Sequence, residues 1–353
     1  MVLISQAVPS TFATLYQCEL CRRPILIVVN ADVIDVQTKF LVCYIYPFGI
    51  THDGSLEWNQ LENNAIGFKK LLQLCKGYYH FIMETTGVYH LPLAFYLHEK
   101  KCTYSVVNAL QIKRFIQMNL ERNKSDKKDA FHICNYGMVT NPVQYEMPDQ
   151  QYFECKSLNN AIEGITNEIT SFKNKIHALS KLKIDKKVID KSYKKLITAL
   201  QKELLKLETE LHAKLKEWQP ELMKLVSSVV GIGKRATATL IVNTQGFKHT
   251  QKYQQLISYA GLSPKEYSSG TSIKGRVKIC KQGGGRLRHI LYMCALNAKE
   301  TNLECKLLFD RLVKQGKNKK LAVIAVCNKL LKQVFGVVKN NTMFDRNYLQ
   351  KTV

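Results

Sequence analysis

The run Phe81-Ile82-Met83 ends in a carboxylate, Glu84, and a Thr85-Thr86-Gly87-Val88-Tyr89 stretch follows it. Further along, Lys124-Ser125-Asp126-Lys127-Lys128-Asp129-Ala130 sets two acids three residues apart among lysines. That spacing is close to one helical turn, so Asp126 and Asp129 leave a helix on one face. An acid at a strand end and an acid pair on a helix suit a hard divalent cation. Mg²⁺ takes a few carboxylate oxygens and completes its shell with water and substrate phosphate. Two such ions can clamp the attacking and leaving oxygens of a phosphodiester displacement.

A second group lies near the C-terminus. Tyr259–Arg288 is rich in glycine, lysine and arginine and holds two adjacent serines, Ser268 and Ser269. Glycine lets backbone turn tightly near a ligand. Lys274, Arg276, Lys278 and Lys281 can neutralise phosphate, and Arg286 and Arg288 can add forked contacts. A serine in that setting could attack phosphorus and hold DNA covalently. From composition alone, such serines more often hydrogen-bond a phosphate or a turn. Upstream, Val229-Val230-Gly231-Ile232-Gly233-Lys234 matches the loop of a helix–hairpin–helix. There Gly231 and Gly233 would let backbone N–H groups approach a phosphate, with Lys234 opening the next helix. A plain capping turn fits the same residues equally well.

These groups need a framework. The chain has 353 residues, enough for two or three domains, and a net charge of +24 spread along its length. That excess is the footprint of a nucleic-acid partner, DNA or RNA or both. Apolar runs approaching membrane-spanning length are not expected, and the N-terminus does not read as a signal peptide. Eleven cysteines, several inside apolar runs, read as buried thiols of a reducing cytoplasm. Cys18 and Cys21 form a CxxC, but two further zinc ligands at suitable spacing are not apparent.

Residues 1–24 read as a lead-in. Residues 25–150 read as an α/β domain. Its expected strands are Ile25–Val36, Phe40–Tyr46, Leu56–Glu62, Tyr79–Met83 leading into Glu84, and Thr103–Val107. Its expected helices are Gly67–Cys75, Leu91–Lys100, Ile112–Leu120 and Asp126–Tyr136. Residues 151–223 carry two apolar seams. One runs Ile162, Ile165, Ile169, Phe172, Ile176, Leu179. The other runs Tyr193, Leu196, Leu200, Leu204, Leu207, Leu211, Leu215, Trp218. They predict an antiparallel coiled coil, or a helix pair donated to a partner subunit, with a turn over Lys183–Lys191. Residues 224–353 read as mainly helical.

Taken in order, these motifs resemble the DEDD transposases of insertion sequences. That group includes the Piv-type DNA invertases and the bridge-RNA-guided recombinases. The resemblance spans roughly residues 25–345. It rests on Met83-Glu84-Thr85-Thr86-Gly87-Val88-Tyr89-His90, Val107-Asn108 and Lys124–Ala130. Later it rests on Gly231-Ile232-Gly233, Gly261-Leu262-Ser263-Pro264 with Ser268-Ser269-Gly270, and Gly283 with Arg286-Leu287-Arg288. Gly316-Lys317 and Lys329-Leu330-Leu331 complete it.

The resemblance implies an N-terminal RuvC-like, RNase H-like catalytic domain, then the coiled coil and a C-terminal transposase domain. It implies four acids that hold Mg²⁺ or Mn²⁺. Glu84 is the second, and Asp126 and Asp129 are the third and fourth. The first is Asp35, which keeps a short distance to the next strand, or alternatively Asp32, which follows the more continuous apolar run. Strand alternation puts the two on opposite sides, so one serves. The sequence departs from the family pattern at Thr38, where a Lys is usual, and at Gly284, where an Asn is common. The implied nucleophile is Ser268, with Ser269 as the alternative. The implied partners are double-stranded DNA at the element ends and target, a non-coding guide RNA, and further copies in a homodimer or homotetramer. No membrane partner is implied. The expected activity is strand cleavage and exchange for insertion and excision of a mobile element, in a bacterial cytoplasm beside the nucleoid.

Overall fold

A computed structural model describes residues 26–30, 40–45, 57–74, 80–85, 87–119, 126–182, 184–265, 268–269, 273–274 and 278–347. The chain divides into two units, Met1–Met147 and Pro148–Val353.

In the first unit a five-stranded sheet has the order β3-β2-β1-β4-β5. The strands are β1 (Leu26–Asn30), β2 (Phe40–Ile45), β3 (Glu57–Glu62), β4 (His80–Glu84) and β5 (Thr103–Val107). β1, β2 and β3 pair antiparallel, while β4 lies parallel to both β1 and β5. Among the described residues, four helices accompany the sheet: α1 (Ala65–Leu74), α2 (Leu91–Glu99), α3 (Ala109–Met118) and α4 (Asp126–Thr140). Strand alternation sends β4 side chains to both faces. Phe81 and Met83 pack with Phe68, Leu71, Leu93 and Leu97 of α1 and α2. Ile82 faces the other way, into a cluster with Val107, Ile112, Ala130, Ile133 and Cys134 of β5, α3 and α4. The sheet is thus covered on both sides at β4, which is why β4 reads as a continuous apolar run. The observed strands fall within or close to the expected ones. Residues 31–36 of the first expected strand lie outside the described residues, and α4 runs on past the expected Tyr136 to Thr140.

The second unit opens with two long helices, α5 (Gln150–Leu179) and α6 (Lys187–Trp218), packed against each other. Asp149 caps α5 by accepting from the Tyr152 N–H at 2.7 Å, and accepts from Trp218 Nε1 at 2.9 Å, tying the two ends together. Near the turn, the Phe172 and Tyr193 rings meet at 5.3 Å. The expected α6 seam is corrected at one place: Leu196 faces solvent. At the root, Cys155, Ile162, Leu211 and Leu215 belong to the same core as the later helices, so packing shows no boundary at residues 223–224.

Those later helices are α7 (Pro220–Ser228), α8 (Lys234–Asn243), α9 (Tyr253–Tyr259), α10 (Gly285–Thr301), α11 (Leu303–Lys314) and α12 (Lys319–Asn340). Between α9 and α10 lie short antiparallel pairs: β6 (Pro264–Lys265) with β9 (Lys278–Ile279), and β7 (Ser268–Ser269) with β8 (Ile273–Lys274). α12 is long and apolar enough, by length and composition, to cross a membrane. That corrects the expectation that no apolar stretch approaches this length. Its Val326, Cys327, Leu330, Leu331 and Val334 are buried in the helical core.

Candidate active site

Glu84 is the last residue of β4 and is half-buried. It shares a face with Ile82, two residues earlier, and that face is the one α4 covers. The direction of α4 follows from its exit. After Thr140 the chain returns along β5: Ser105 Oγ bonds the Pro142 and Val143 carbonyls at 3.0 and 2.7 Å, and the Tyr145 N–H donates to the Tyr104 carbonyl at 2.8 Å. Tyr104 is the second residue of β5 and Ser105 its middle one, and the chain from 142 to 145 runs on towards the start of that strand. The C-terminus of α4 is therefore at the amino ends of the parallel strands. Fifteen residues rise about 22 Å, so Asp126 and Asp129 start at the carboxyl ends, where Glu84 sits. Asp129 is half-buried on this first turn, and Ala130 beside it packs in the Ile82 cluster. The side chain of Asp126 is outside the description. Asp32 and Asp35 lie outside the described residues altogether. β1, which leads towards them, pairs Val29 with Met83 in parallel and so ends beside Glu84. Among the described residues, no three His, Cys, Asp or Glu side chains form a metal-holding group.

The turn after Glu84 is tied down by residues that the motif alone did not explain. The Thr85 N–H donates to the Val107 carbonyl at 2.9 Å, and Thr85 Oγ1 accepts from the Ala109 N–H at 3.2 Å. Asn108 caps α3, accepting from the Leu110 N–H at 2.8 Å. Gly87 takes a left-handed φ of +52°, and Asn63 Nδ2 donates to the Tyr89 carbonyl at 3.0 Å. Thr85 and Asn108 thus fasten the end of β4 to the β5–α3 junction. A Thr-Thr-Gly after a strand and an Asn before a helix are the signals that could have found them.

In the second unit Ser268–Ser269 pairs antiparallel with Ile273–Lys274 as a short β-ribbon. The register pairs Ser268 with Lys274 and Ser269 with Ile273. The side chains of these four residues are outside the description, and Arg276 lies outside the described residues. Lys278 and Lys281 are exposed. The base of the ribbon is locked by two glycines. Gly261 has φ +67°, and a Cβ there would stand 2.3 Å from Arg288 Nη1. Gly283 has φ +133°, and a Cβ there would stand 2.2 Å from the Tyr259 carbonyl oxygen. Arg288 Nη1 donates to the Ala260 and Gly283 carbonyls, both at 3.1 Å.

Both arginines expected to fork onto phosphate already make contacts within the chain through Nη1, while Nε and Nη2 of Arg286 are buried with no hydrogen-bond partner among the described residues. Arg288 holds that turn. Arg286 is 15% exposed and pairs with Glu163 of α5 at 3.0 Å. Burial pulls its pKa below the usual guanidinium value, Glu163 opposes the shift, and nearby Arg235 adds to it. The two glycines of the Gly-x-Gly turn also divide. Gly231 (φ +100°) lies against α10, where a Cβ would come within 2.6 Å of the Ala298 Cβ. Gly233 opens α8 with free space around it, and Lys234 beside it is exposed.

Comparison with known proteins places the chain among relatives. A transposase model of the DEDD IS110 type matches residues 35–183. A second model, described as the transposase IS116/IS110/IS902 family, matches residues 223–309. The chain belongs to the IS110 family of transposases. Within that family it is 28% identical to the pilin gene-inverting protein of Moraxella bovis over 300 residues, covering 80% of this chain and 89% of that protein. The protein of the same name from Moraxella lacunata is 28% identical over 315 residues, covering 84% and 93%. A 43.6 kDa protein of insertion element IS110 in Streptomyces coelicolor is 28% identical over 150 residues, 42% of this chain and 36% of that one.

Proposed function

We propose that the chain is a DNA recombinase that cuts and exchanges strands to insert and excise a mobile element. The observation that carries this is the meeting of Glu84 with the start of α4 at the carboxyl ends of the parallel strands. The strand order and directions of the sheet support a RuvC-like, RNase H-like reading of this unit. The name of the Moraxella relatives, gene-inverting proteins, supports strand exchange over simple cutting.

Asp35, Glu84, Asp126 and Asp129 hold Mg²⁺ or Mn²⁺. The family match begins at residue 35 and leaves Asp32 outside, which supports Asp35 over Asp32. Half-buried carboxylates on a rigid strand end and a helix turn are the hard oxygen donors such a cation takes. Bound there, the cation would polarise the scissile phosphate and stabilise charge on the oxygens around it. Ser268 forms the bond to phosphorus and keeps its energy in a phosphoserine ester as the strand leaves. Its pairing opposite Lys274, where Ser269 stands opposite an isoleucine, supports this choice. Lys274, Arg276, Lys278, Lys281, Lys234 and the open turn at Gly233 hold phosphates. The charge of +24 supports binding of DNA and of a guide RNA. A dimer or tetramer would let one subunit's acids meet another's serine.

Three variants test the reading on labelled element-end DNA in denaturing gels. Asp126→Asn should bind DNA but neither cut it nor form an adduct. Ser268→Ala should bind DNA and form no covalent adduct, while Ser269→Ala keeps it. Undiminished strand transfer by Asp126→Asn would remove the metal assignment. Cutting by the unaltered protein with no adduct at any time would make it a hydrolytic nuclease.

A further inference from the structure

The acid stripe of α4 continues into a residue that neither motif includes. Asp126, Asp129 and His132 follow one another at three-residue spacing along the helix. His132 is 4% exposed, and its Nδ1 is buried without a hydrogen-bond partner among the described residues. Buried polar atoms are nearly always satisfied, so an orphaned ring nitrogen beside a reaction centre calls for a reason. Core packing does not supply one. The inward face of α4 is already filled by Ala130, Ile133 and Cys134 against Ile82 and Val107. An apolar residue at 132 would be buried without leaving a polar atom unpaired.

Helix geometry offers a reason. In a helix each Cα–Cβ bond tilts towards the N-terminus, so a side chain covers the turn before its own Cα. For His132 that turn is the one carrying Asp129. The edge-on contact of its ring with Phe131, centroids 5.6 Å apart, holds the imidazole from one side.

We infer that His132 is a positioning residue for Asp129. Nδ1–H donates to one carboxylate oxygen when the site is charged with a divalent cation, and so turns the other oxygen towards the cation. This rests on the carboxylate reading given above. Carboxylates that ligate metals are themselves held by such hydrogen bonds, and losing one typically costs about 10–100-fold in metal affinity. His132 needs no change of charge for this role, only the tautomer that carries the proton on Nδ1.

The test uses the full chain and Mn²⁺, with free and bound ion separated by electron paramagnetic resonance. His132→Leu keeps the volume and removes the donor. It should weaken Mn²⁺ binding by about 10–100-fold. His132→Asn places an amide N–H where Nδ1 was and should restore affinity to within about threefold of the original. His132→Gln places its amide at the far end of the ring and should bind as weakly as the leucine variant. Asp129→Asn serves as the reference that removes a ligand. If Asp129→Asn loses Mn²⁺ but His132→Leu binds as the original does, the inference falls and the carboxylate site stands. If Asp129→Asn also binds unchanged, the metal reading itself falls, and this inference with it. Should the leucine variant fail to fold by circular dichroism, equal affinity of the Asn and Gln variants overturns the role.

Discussion

At the scale of single residues, the structure separates cations that hold the protein from cations left open to a ligand. Arg286 is half-buried against Glu163, and Arg288 binds two carbonyls of its own turn. Lys278 and Lys281 stand exposed on the same segment. Arg286→Ala should therefore lower the stability of the second unit by about 1–3 kcal/mol, since Glu163 loses a charge-assisted bond and a packed side chain leaves a gap. Its effect on DNA affinity should be secondary to that loss. Lys281→Ala should do the reverse, with an unchanged melting temperature, weaker DNA binding and a shallower dependence on salt. Thermal melting and fluorescence anisotropy on the two variants check both statements. Equal melting of Arg286→Ala and the unaltered protein would return Arg286 to the binding surface.

At the scale of elements, each glycine of the Gly231-Ile232-Gly233 turn has its own task. Gly231 is left-handed and lies where α10 passes closest, so Gly231→Ala should cost about 2–4 kcal/mol from strain and overlap with Ala298. Gly233→Ala meets open space and should cost about 1 kcal/mol or less. Urea unfolding of the pair measures the difference. The helical hairpin divides in the same way. Ile169 is buried within its own chain, so Ile169→Glu should disrupt the α5–α6 pair itself and reports on folding. Leu205 is 67% exposed on α6. Leu205→Glu should leave melting unchanged, and light scattering of that folded variant then asks whether the outer face joins subunits. An unchanged mass would place assembly elsewhere.

At the scale of the whole molecule, the thiols set an alkaline limit. Burial pushes Cys305 and Cys327 of the helical core to about 12, from a usual value of 9.0. Cys134, in the first unit, is also pushed to about 12 by burial. A folded value above the unfolded one means that the unfolded chain loses its proton first. These thiols therefore contribute fully below pH 9, and the contribution fades as pH rises towards 12. Each thiol should remove about 1.4 kcal/mol per pH unit in that window. Melting temperatures measured from pH 8.5 upwards should fall, and Cys327→Ala should fall less steeply than the unaltered chain. Parallel slopes would contradict the burial of that thiol.

The sequence alone determined what depends on neighbours along the chain. Alternation and apolar runs located the five strands of the first unit, because a strand announces its buried faces within a few residues. Spacing put Asp126 and Asp129 on one helix face, and the two apolar seams announced α5 and α6. The carboxylate at the end of β4 was legible for the same reason. The ribbon of Ser268 was not, because glycine, lysine and serine have little intrinsic preference for strands. Its ladder exists through pairing across the segment, which propensity does not report. The structure also decided that α4 runs back down the sheet, since the bonds that fix its exit join Ser105 to Pro142 and Val143. It decided that Arg286 turns inward, because its partner Glu163 arrives from another helix. It left His132, three residues on from Asp129, buried with a nitrogen unpaired among the described residues, because packing around α4 is made by strands and helices distant in the chain. Which polar atoms end up satisfied is a property of contacts between elements, and no local pattern encodes it.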